Sequence, residues 1–436
     1  MRRPNRQHPM AYIALFIHGL SGGGVQRSTM NLAAEFLRRG HRVDLVVGTA
    51  AGSASALVPP TARLVPLQRR GRLSYLPLAW RAEPQSRRLL MKPVLLPLIP
   101  QKALFYLPAL VDYLASHRPD VLISADTYCN LVAIWARRLS GVATRIIASE
   151  HNTLSVQLQR PERRRAWRWR HAPELIGHVY RRADAIVTVS RGVGDDLARL
   201  CGLPRDRITT IYNPVHFGPE LDRLASAPLE AGLLPAGDAP IVLGVGRLVG
   251  PKDFATLIRA FALVRARRPA RLVILGEEQK RGERARLLAL AGCLGIADDV
   301  HLPGHVANPY RFFARAAVFV LSSYREGLGN VVIEALACGC PVVSTDCPFG
   351  PAEILEDGKY GRLVRIGDPE SMAAAIEATL DAPPRSEFLR ARGGAFSAER
   401  AASAYLSLAG LEDAAAIPPR SPAPDHAAPA ARGLTG

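Results

Sequence analysis

With 436 residues, 48% of them hydrophobic, the chain has room for about two or three globular domains with sizeable cores. It has a formal net charge of +18 but no zinc-finger spacing, RNA-recognition strand or basic zipper, so an anionic membrane surface is a better candidate partner than nucleic acid. Six scattered cysteines without a CxxC pair, no leader-type apolar segment and no apolar run of membrane-spanning length predict a cytoplasmic protein with buried thiols.

The first part of the chain has the pattern of a doubly wound parallel sheet. Its first predicted elements are a strand at 12–17, a glycine-rich loop at 18–25, a helix at 26–39 and a strand at 41–47. In the loop, Gly22, Gly23 and Gly24 allow the backbone to approach a ligand closely, although a tight turn that only packs helix on strand has the same composition. The loop lacks the G-x-G-x-x-G fingerprint, so we do not predict a dinucleotide site.

Two segments combine basic with aromatic or apolar residues. Residues 81–116 interleave Arg and Lys with Leu, Pro, Phe and Tyr, and residues 160–170 (RPERRRAWRWR) hold two tryptophans among arginines. Such mixtures suit the headgroup region of a membrane and equally suit solvated basic helices or loops, so both interpretations stay open. Between these segments we expect strands at 121–124 and 145–148, with a helix near 130–138.

His151 follows the second of these strands, in the run Ser-Glu-His-Asn. Ligands of open parallel sheets collect at the carboxyl ends of the strands, so a functional role and a structural role for this histidine are equally good interpretations. The first unit then continues with a strand at 185–189, a helix at 192–200 and a strand at 208–212. We place the domain boundary after residue 215 and interpret residues 217–240, rich in Pro, Ala, Gly and Glu, as a linker.

A second alternation of strands and helices predicts a second parallel α/β sheet. The predicted strands lie at 241–245, 271–275, around 300, at 317–321 and at 341–344, and the predicted helices at 252–268, 283–293, 309–315, 331–337 and 369–380. An amphipathic helix is predicted at 399–408, and the Ala- and Pro-rich residues 414–436 are predicted to be disordered.

The strand, turn and helix at 317–337 form the first candidate site. Its glycine-bearing turn presents free backbone N–H groups and the positive end of a helix dipole, which suits a phosphate or diphosphate. Glu326 in the turn and Glu334 in the helix lie off the apolar stripe, and carboxylates accept hydrogen bonds from hydroxyls. A nucleotide sugar carries both kinds of group, although two solvated surface glutamates would show the same pattern.

Arg247 and Lys252 form a second candidate group, in the run Gly-Arg-Leu-Val-Gly-Pro-Lys-Asp that begins at Gly246. At a strand end and a helix start, both cations can reach one diphosphate, the arginine in a bidentate manner and the lysine as a point charge. Two unrelated surface cations are the alternative interpretation in so basic a chain.

The run Gly-Arg-Leu-x-x-x-Lys-Asp, followed further along the chain by Glu-x7-Glu, resembles the donor-site signature of the retaining glycosyltransferases of family 4, which have the GT-B fold. Residues 347–355 and 358–361 are similar to the branch that builds polyprenyl-linked oligosaccharides and exopolysaccharides. The resemblance is strong over 241–366, and in the first half Gly22 to Arg27 resembles the family's first-loop motif. It implies an α/β protein with two Rossmann-like, doubly wound domains that face a cleft.

The resemblance also implies how the chain is divided and which residues form the site. The expected units are an acceptor-binding domain at 10–215, a nucleotide-sugar-binding domain at 216–396, a helix at 397–411 that crosses back to the first domain, and a disordered tail at 412–436. The implied donor-binding residues are Gly246, Arg247, Lys252, Gly276, Glu277, His305, Glu326, Gly327, Leu328, Gly329, Asn330, Val331 and Glu334. The implied catalytic residues are His151, Arg247, Lys252 and Glu326, and Gly22, Gly23 and Gly24 form the acceptor and phosphate loop.

The implied reaction transfers a sugar, with retention and without a metal ion or cofactor, from a nucleoside diphosphate sugar to a glycan or polyprenyl-linked acceptor. UDP is the expected nucleotide because that branch commonly uses it, and the expected place is the cytoplasm, with the inner face of the cell membrane as a candidate surface. Two alternatives stay open: a GT-B-like sugar-nucleotide epimerase, and a non-catalytic protein that binds nucleotide sugars or anionic surfaces.

Three positions depart from the family pattern. Gly276-Glu277-Glu278 stands where Gly-Glu-Gly is usual, and Glu278 would be strained if that position required a positive φ. Arg325 stands where tyrosine is common and adds a cation beside Glu326. Gln26 replaces a glutamate often found in the first loop.

Overall fold

The computed structural model describes residues 10–21, 23–71, 74–84, 102–158, 171–230, 233, 237–279 and 281–411. Its frame consists of two parallel sheets, of seven and six strands. Most strands are buried runs of Val, Ile, Leu and Phe without polar alternation, which is typical of parallel sheets covered on both faces by helices.

The first sheet belongs to the part that we call domain one. Its strands are β1 (Tyr12–Gly19), β2 (Arg42–Thr49), β3 (Arg63–Pro66), β4 (Val121–Ala125), β5 (Arg145–Glu150), β6 (Ala185–Thr188) and β7 (Ile208–Thr210). Its helices are α1 (Gly24–Arg38), α2 (Tyr75–Ala82), α3 (Leu107–His117), α4 (Thr127–Ser140), α5 (Leu154–Leu158), α6 (Ala172–Tyr180) and α7 (Arg191–Cys201). The strand order is β3-β2-β1-β4-β5-β6-β7, so the winding reverses between β1 and β4.

The second sheet belongs to domain two. Its strands are β8 (Ile241–Val245), β9 (Arg271–Leu275), β10 (Val300–Gly304), β11 (Val318–Leu321), β12 (Val342–Thr345) and β13 (Arg362–Val364). Its helices are α8 (Pro219–Ser226), α9 (Phe254–Arg265), α10 (Glu283–Cys293), α11 (Tyr310–Phe313), α12 (Asn330–Ala337), α13 (Pro351–Leu355), α14 (Pro369–Asp381) and α15 (Ser386–Gly394). The order β10-β9-β8-β11-β12-β13 reverses its winding between β8 and β11, so the loops that follow these two strands meet at one sheet edge.

The last described helix, α16 (Ala398–Ala409), returns to domain one, which confirms the predicted crossover. It packs on α1, and the Arg39 guanidinium at the end of α1 donates hydrogen bonds to the Glu399 main-chain oxygen at 2.7 Å and to Ser403 Oγ at 3.0 Å. The two connections between the domains run side by side, because the Val215 N–H donates to the Phe396 main-chain oxygen at 3.1 Å. The limits 10–215 and 216–396 stay predictions, and this pairing supports them.

Several elements differ from the expectation. The helix expected at 252–268 begins at Phe254, because Gly250–Lys252 forms a 3-10 turn and Asp253 caps α9 by accepting a hydrogen bond from the Thr256 N–H. Residues 50–80, for which the sequence predicts no strand or helix, contain β3 and the first part of α2. These elements are too short, and β3 too exposed, to give a periodic apolar pattern.

The two basic segments are only partly described. Within 81–116, α3 buries residues spaced three and four apart, namely Leu107, Leu110 and Leu114, as a packed helix does. Residues 160–170, the tail at 412–436 and Gly22 lie outside the described residues, so the predictions made for them stay predictions. Over the ranges that the structure covers, we find no helix with the length and apolarity required to cross a bilayer.

Strain at Glu278 was expected only if this position required a positive φ, and that condition is not met. Glu278 does not have a positive φ. The Glu278 backbone forms a β-bridge with Leu248. The Glu278 Oε1 accepts a hydrogen bond of 3.0 Å from the Arg284 N–H at the start of α10. Glutamate therefore fits this position because the backbone stays in the region open to all L-residues.

Candidate active site

The loop between β11 and α12 forms one wall of a cleft between the domains. Gly329, with φ of 94°, allows α12 to begin at Asn330, so the free N–H groups of this helix start lie beside the cleft. Gly327 lies against domain one, because a Cβ at this position would be 2.7 Å from the His151 main-chain oxygen. Ser190 of domain one donates a hydrogen bond of 3.0 Å to the Gly327 carbonyl oxygen. The two walls of the cleft are therefore in direct contact.

Lys252 and Glu326 form an ion pair in domain two. The distance between Lys252 Nζ and Glu326 Oε1 is 2.7 Å, and both side chains are mostly buried. Ser323 Oγ donates a second hydrogen bond of 2.7 Å to the same Oε1. The 3-10 turn places Lys252 there, and Ser322 Oγ holds that turn by donating to the Lys252 main-chain oxygen at 2.8 Å. Both contacts use Oε1, so the carboxylate is oriented while Oε2 keeps its capacity to accept.

Arg247 is the second residue after β8 and is exposed at the cleft. Its Nη1 donates a hydrogen bond of 3.2 Å to Gln279 Oε1. The backbone beside it is tightly packed, because a Cβ on Gly276 would be 1.8 Å from the Gly246 main-chain oxygen. Glycine at 276 is therefore needed for the ends of β8 and β9 to approach, whatever the cleft binds.

Glu334 lies in the second turn of α12 and is almost fully buried. Its Oε1 is 3.3 Å from Arg27 Nη1 of domain one and accepts a hydrogen bond of 3.4 Å from the Tyr310 hydroxyl. Its Oε2 is buried and has no hydrogen-bond partner among the described residues. Burial raises the pKa of Glu334, and the charges of Arg27 and Lys252 act against that rise.

His151 follows β5 at the opposite wall. Its Nε2 is 3.1 Å from Ser149 Oγ, which is also 3.1 Å from the Tyr405 hydroxyl of α16. Nδ1 is buried without a hydrogen-bond partner within the described part of the chain. Burial lowers the pKa of His151 to about 4, so the imidazole is neutral at pH 7.

These walls enclose a cavity of about 390 Å³. Every residue predicted to bind a donor lines it, as do His151, Gly23 and Gly24, whereas Gly22 is outside the described residues. The structure thus brings together two cations, a helix N-terminus and two carboxylates that are separated along the sequence. A pocket of this size is typical of small-molecule sites. The individual roles of these residues stay predictions.

Two family models match the chain and together span most of it. The model described as Glycosyltransferase Family 4 matches residues 22–217, and the model described as Glycosyl transferases group 1 matches residues 239–382. The chain belongs to the family 4 glycosyltransferases. One match covers the first sheet and the other covers the second, so domain one and domain two each carry the sequence pattern of this family.

Curated relatives support this membership. The chain is 33% identical over 252 residues to the N-acetylgalactosamine-N,N'-diacetylbacillosaminyl-diphospho-undecaprenol 4-alpha-N-acetylgalactosaminyltransferase of Campylobacter jejuni, with 58% of this chain and 64% of the relative covered. It is 36% identical over 234 residues to the lipopolysaccharide core biosynthesis glycosyltransferase LpsE of Rhizobium meliloti, with 52% and 65% covered. The aligned region spans just under two thirds of the length of each of these relatives.

Solved structures confirm the expected GT-B fold. A glycosyltransferase from Rickettsia africae has a TM-score of 0.70 at 15% identity, with 92% of this chain and 98% of that chain covered. Anabaena Alr3699/HepE in complex with UDP and glucose has a TM-score of 0.69 at 16% identity, with 91% and 98% covered. At these identities the likeness concerns the fold alone.

Several residues of this family 4 chain reach the cleft from domain one without having been predicted. Asn213 Nδ2 donates to Asn330 Oδ1 at 2.9 Å, and Asn330 Nδ2 donates to Ser28 Oγ at 3.1 Å. Arg27 reaches Glu334, a partner 307 positions away in the sequence. The first-loop motif, to which Arg27 belongs, could have indicated that this residue reaches the cleft. No local sequence pattern, however, reveals a partner at that distance.

Two buried carboxyl groups support the segment that carries His151. Glu150 accepts three hydrogen bonds of 2.9 to 3.1 Å, from Thr127 Oγ1, Tyr180 OH and the Asn152 N–H. Asp126 accepts a hydrogen bond of 2.6 Å from Asn152 Nδ2. Burial raises the pKa of Glu150 to about 7 and that of Asp126 to about 6. Both groups hold Asn152, so they fix the backbone next to the imidazole.

Proposed function

We propose that this protein is a retaining glycosyltransferase that moves a sugar from a nucleoside diphosphate sugar to a hydroxyl group of a glycan or lipid-linked glycan. The observation that carries the proposal is that Arg247, Lys252, the start of α12 and the two carboxylates line one cavity. The cations and N–H groups suit a diphosphate, and the carboxylates suit hydroxyls. Family membership is consistent with this chemistry.

The diphosphate binds between Arg247, Lys252 and the N–H groups of residues 327–331. Negative charge grows on the diphosphate as the glycosidic bond breaks, so fixed cations and dipoles stabilise the transition state more than the ground state. Lys252 is already held at 2.7 Å from Glu326, which limits the reorganisation needed during the reaction. We propose metal-independent transfer because these cations supply the charge that a metal ion would otherwise supply.

The two carboxylates bind hydroxyl groups at different ends of the donor. Glu326, oriented by Lys252 and Ser323, accepts hydrogen bonds from the transferred sugar. Glu334 accepts hydrogen bonds from the ribose, and its unpaired Oε2 is the atom best suited to this role. A ribose hydroxyl there would supply the missing partner of a buried acceptor, whose absence costs about 1–3 kcal/mol.

In the proposed step the bond between the anomeric carbon and the β-phosphate oxygen breaks, and its electron pair goes to the diphosphate. The acceptor oxygen bonds to the anomeric carbon on the same face of the sugar. The acceptor proton passes to the departing phosphate oxygen, so no protein nucleophile is assigned. The His151 carbonyl oxygen, which lies against Gly327, faces this region and stabilises positive charge on the sugar, while the neutral imidazole contacts the sugar.

UDP is the proposed nucleotide, and a lipid-linked glycan the proposed acceptor. The Anabaena protein of the same fold was solved with UDP and glucose, and the Campylobacter relative is named for transfer to a diphospho-undecaprenol substrate. We propose that the acceptor enters from domain one, past Gly23 and Gly24. A lipid-linked acceptor would place the protein at the cytoplasmic face of a membrane, where its net charge of +18 favours anionic lipids.

A donor screen followed by transfer tests this proposal. Nucleotide sugars are first compared by the rise in melting temperature that they cause, because a ligand of the native state stabilises it. The best donor is then incubated with and without lipid-linked acceptors, in EDTA, and the products are analysed by NMR for anomeric configuration. We expect transfer with retention that depends on Lys252 and Glu326.

Other outcomes decide between the proposal and its alternatives. Conversion of the donor to an epimer without an acceptor would indicate an epimerase. Donor binding without transfer to any acceptor of a broad panel would indicate a binding protein. Folded Lys252→Ala and Glu326→Ala variants with wild-type transfer rates would refute the proposed roles.

A further inference from the structure

Arg27 is a partly buried cation of domain one that reaches into the donor side of the cleft. It lies in the first turn of α1, where a positive charge opposes the helix dipole, so the stability of α1 does not explain its position. Its side chain is 26% exposed, and its Nη1 lies 3.3 Å from Glu334 Oε1 of domain two. Both residues line the cavity.

Glu334 needs a cation in order to remain ionised where it lies. Its side chain is 4% exposed, and an isolated carboxylate in such a place takes up a proton. The Tyr310 hydroxyl donates one hydrogen bond but carries no charge, and Lys252 is engaged with Glu326. Arg27 is therefore the cation that contacts Glu334 and that forms no ion pair with another described carboxylate.

We propose that Arg27 is a positioning residue of the donor site, which keeps the Glu334 carboxylate charged and oriented so that Oε2 can accept from the nucleoside hydroxyls. The inference rests on the proposed function, because it assumes that a nucleotide binds in this cavity. It has a consequence for the fold: the nucleotide pocket of domain two is complete only when domain one lies against it.

The proposal predicts how nucleotide binding depends on pH. The charged and titratable groups around Glu334 are Arg27 from α1, Tyr310 from α11, Lys252 from the 3-10 turn, Cys338 directly after α12, and His216 behind Tyr310. Binding that requires the carboxylate is lost as the pH falls through the Glu334 pKa. Removing Arg27 takes away the largest interaction that lowers this pKa, so the acidic limit of binding should move to higher pH.

UDP is the probe, and calorimetric titration of the full chain between pH 5 and pH 8 is the measurement. Arg27→Gln is expected to weaken UDP binding about tenfold at pH 7 and to move the acidic limit upward, whereas Arg27→Lys keeps most of the affinity. In a Glu334→Gln background, which cannot titrate, Arg27→Gln should change the affinity less than about twofold. Equal losses in both backgrounds, or UDP binding by Arg27→Gln within about twofold of wild type, would overturn the proposal.

Arg39→Gln is the matched control. Arg39 stands at the other end of α1, is 23% exposed and pairs with Glu35, but it lies outside the cavity. The Arg39→Gln variant should leave UDP affinity and its pH dependence unchanged. A tenfold loss of UDP affinity in this control would also count against the proposal. If Arg27→Gln does not fold, Arg27→Lys is the variant that tests the proposal. A tenfold loss of UDP affinity in Arg27→Lys, without a shift of the acidic limit of binding, would contradict a role based on charge.

Different results would refute the proposed function and the proposed role of Arg27. If wild-type protein binds no UDP and Lys252→Ala changes nothing, the proposed function fails. If wild type and Lys252→Ala behave as proposed while Arg27→Gln binds UDP like wild type, only the role of Arg27 fails.

Discussion

The two sides of the cleft are built in different ways. In domain two, Arg247, Lys252 and Glu326 come from two short loops that follow adjacent strands, β8 and β11. In domain one, the contacts come from single residues on separate segments, such as Arg27 of α1, His151 after β5 and Asn213 after β7. The domain-two side is thus encoded in local motifs, and the opposite side is assembled by the packing of distant segments.

The electrostatics of the two sides differ as well. The Lys252–Glu326 pair is a charged pair within one domain. In domain one, burial makes His151 neutral at pH 7 and raises the pKa of Glu150 to about 7. The domain-two side therefore presents paired charges, whereas the domain-one side depends on burial and on contact across the cleft.

The largest effect is expected on the donor side, from Lys252→Ala. In the proposed reaction, loss of the ammonium removes a cation beside the departing diphosphate, so kcat should fall by about 10² to 10³. Steady-state transfer from UDP-sugar measures it. Lys359→Ala is the control, because Lys359 is exposed and pairs with Glu356. A loss of kcat of less than about threefold would show that Lys252 does not stabilise the departing diphosphate.

The contact between the walls is tested by Gly327→Ala. The added Cβ would be 2.7 Å from the His151 main-chain oxygen, so the two backbones must move apart. We expect kcat/KM to fall by about ten- to a hundredfold, because misplacement of the order of 1 Å disturbs the reacting geometry. Gly292→Ala in α10 is the control, since nothing lies within 4 Å of its added Cβ. Equal activity of both variants would show that the contact is not needed.

Glu353→Ala tests a contact between the domains that lies outside the cavity. The Glu353 carboxylate accepts hydrogen bonds from the Arg191 N–H at the start of α7 and from the Tyr212 hydroxyl, at 2.9 and 2.7 Å. Its loss should lower the free energy of unfolding by about 2 kcal/mol while transfer at low temperature persists. Urea unfolding measures the change, with exposed Glu370→Ala as control. A drop in transfer without a drop in stability would contradict this separation.

The smallest effect is expected from Glu150→Gln, measured as stability against pH. Because burial raises the Glu150 pKa to about 7, the native state holds a proton that the unfolded state has released. The wild type therefore loses stability as the pH rises from the unfolded value towards 7. Glutamine does not titrate, so from pH 6 to pH 7 the stability difference should shift by about 1 kcal/mol in favour of the variant. A shift in the opposite direction would mean that the site favours the carboxylate.

Prediction from the sequence was most complete where the sequence pattern lies in residues adjacent in the chain. The strand, glycine turn and helix around Glu326 follow from an apolar run, Gly329 and a helical pattern that are adjacent in the chain. It failed for β3, a short exposed edge strand without periodicity, and for the start of α9, where a 3-10 turn precedes Asp253. It left open whether Glu278 is strained, and the structure shows that the backbone there has no positive φ.

The sequence by itself determined two doubly wound sheets and the two charged loops of domain two, because strand periodicity and short motifs involve residues close together in the chain. Only the tertiary structure decided that Arg27 pairs with Glu334, that Gly327 lies against His151, and that both walls share one cavity. Those contacts join residues far apart in the sequence, and their energies depend on burial. Burial arises when the two domains pack together, and no local pattern records it.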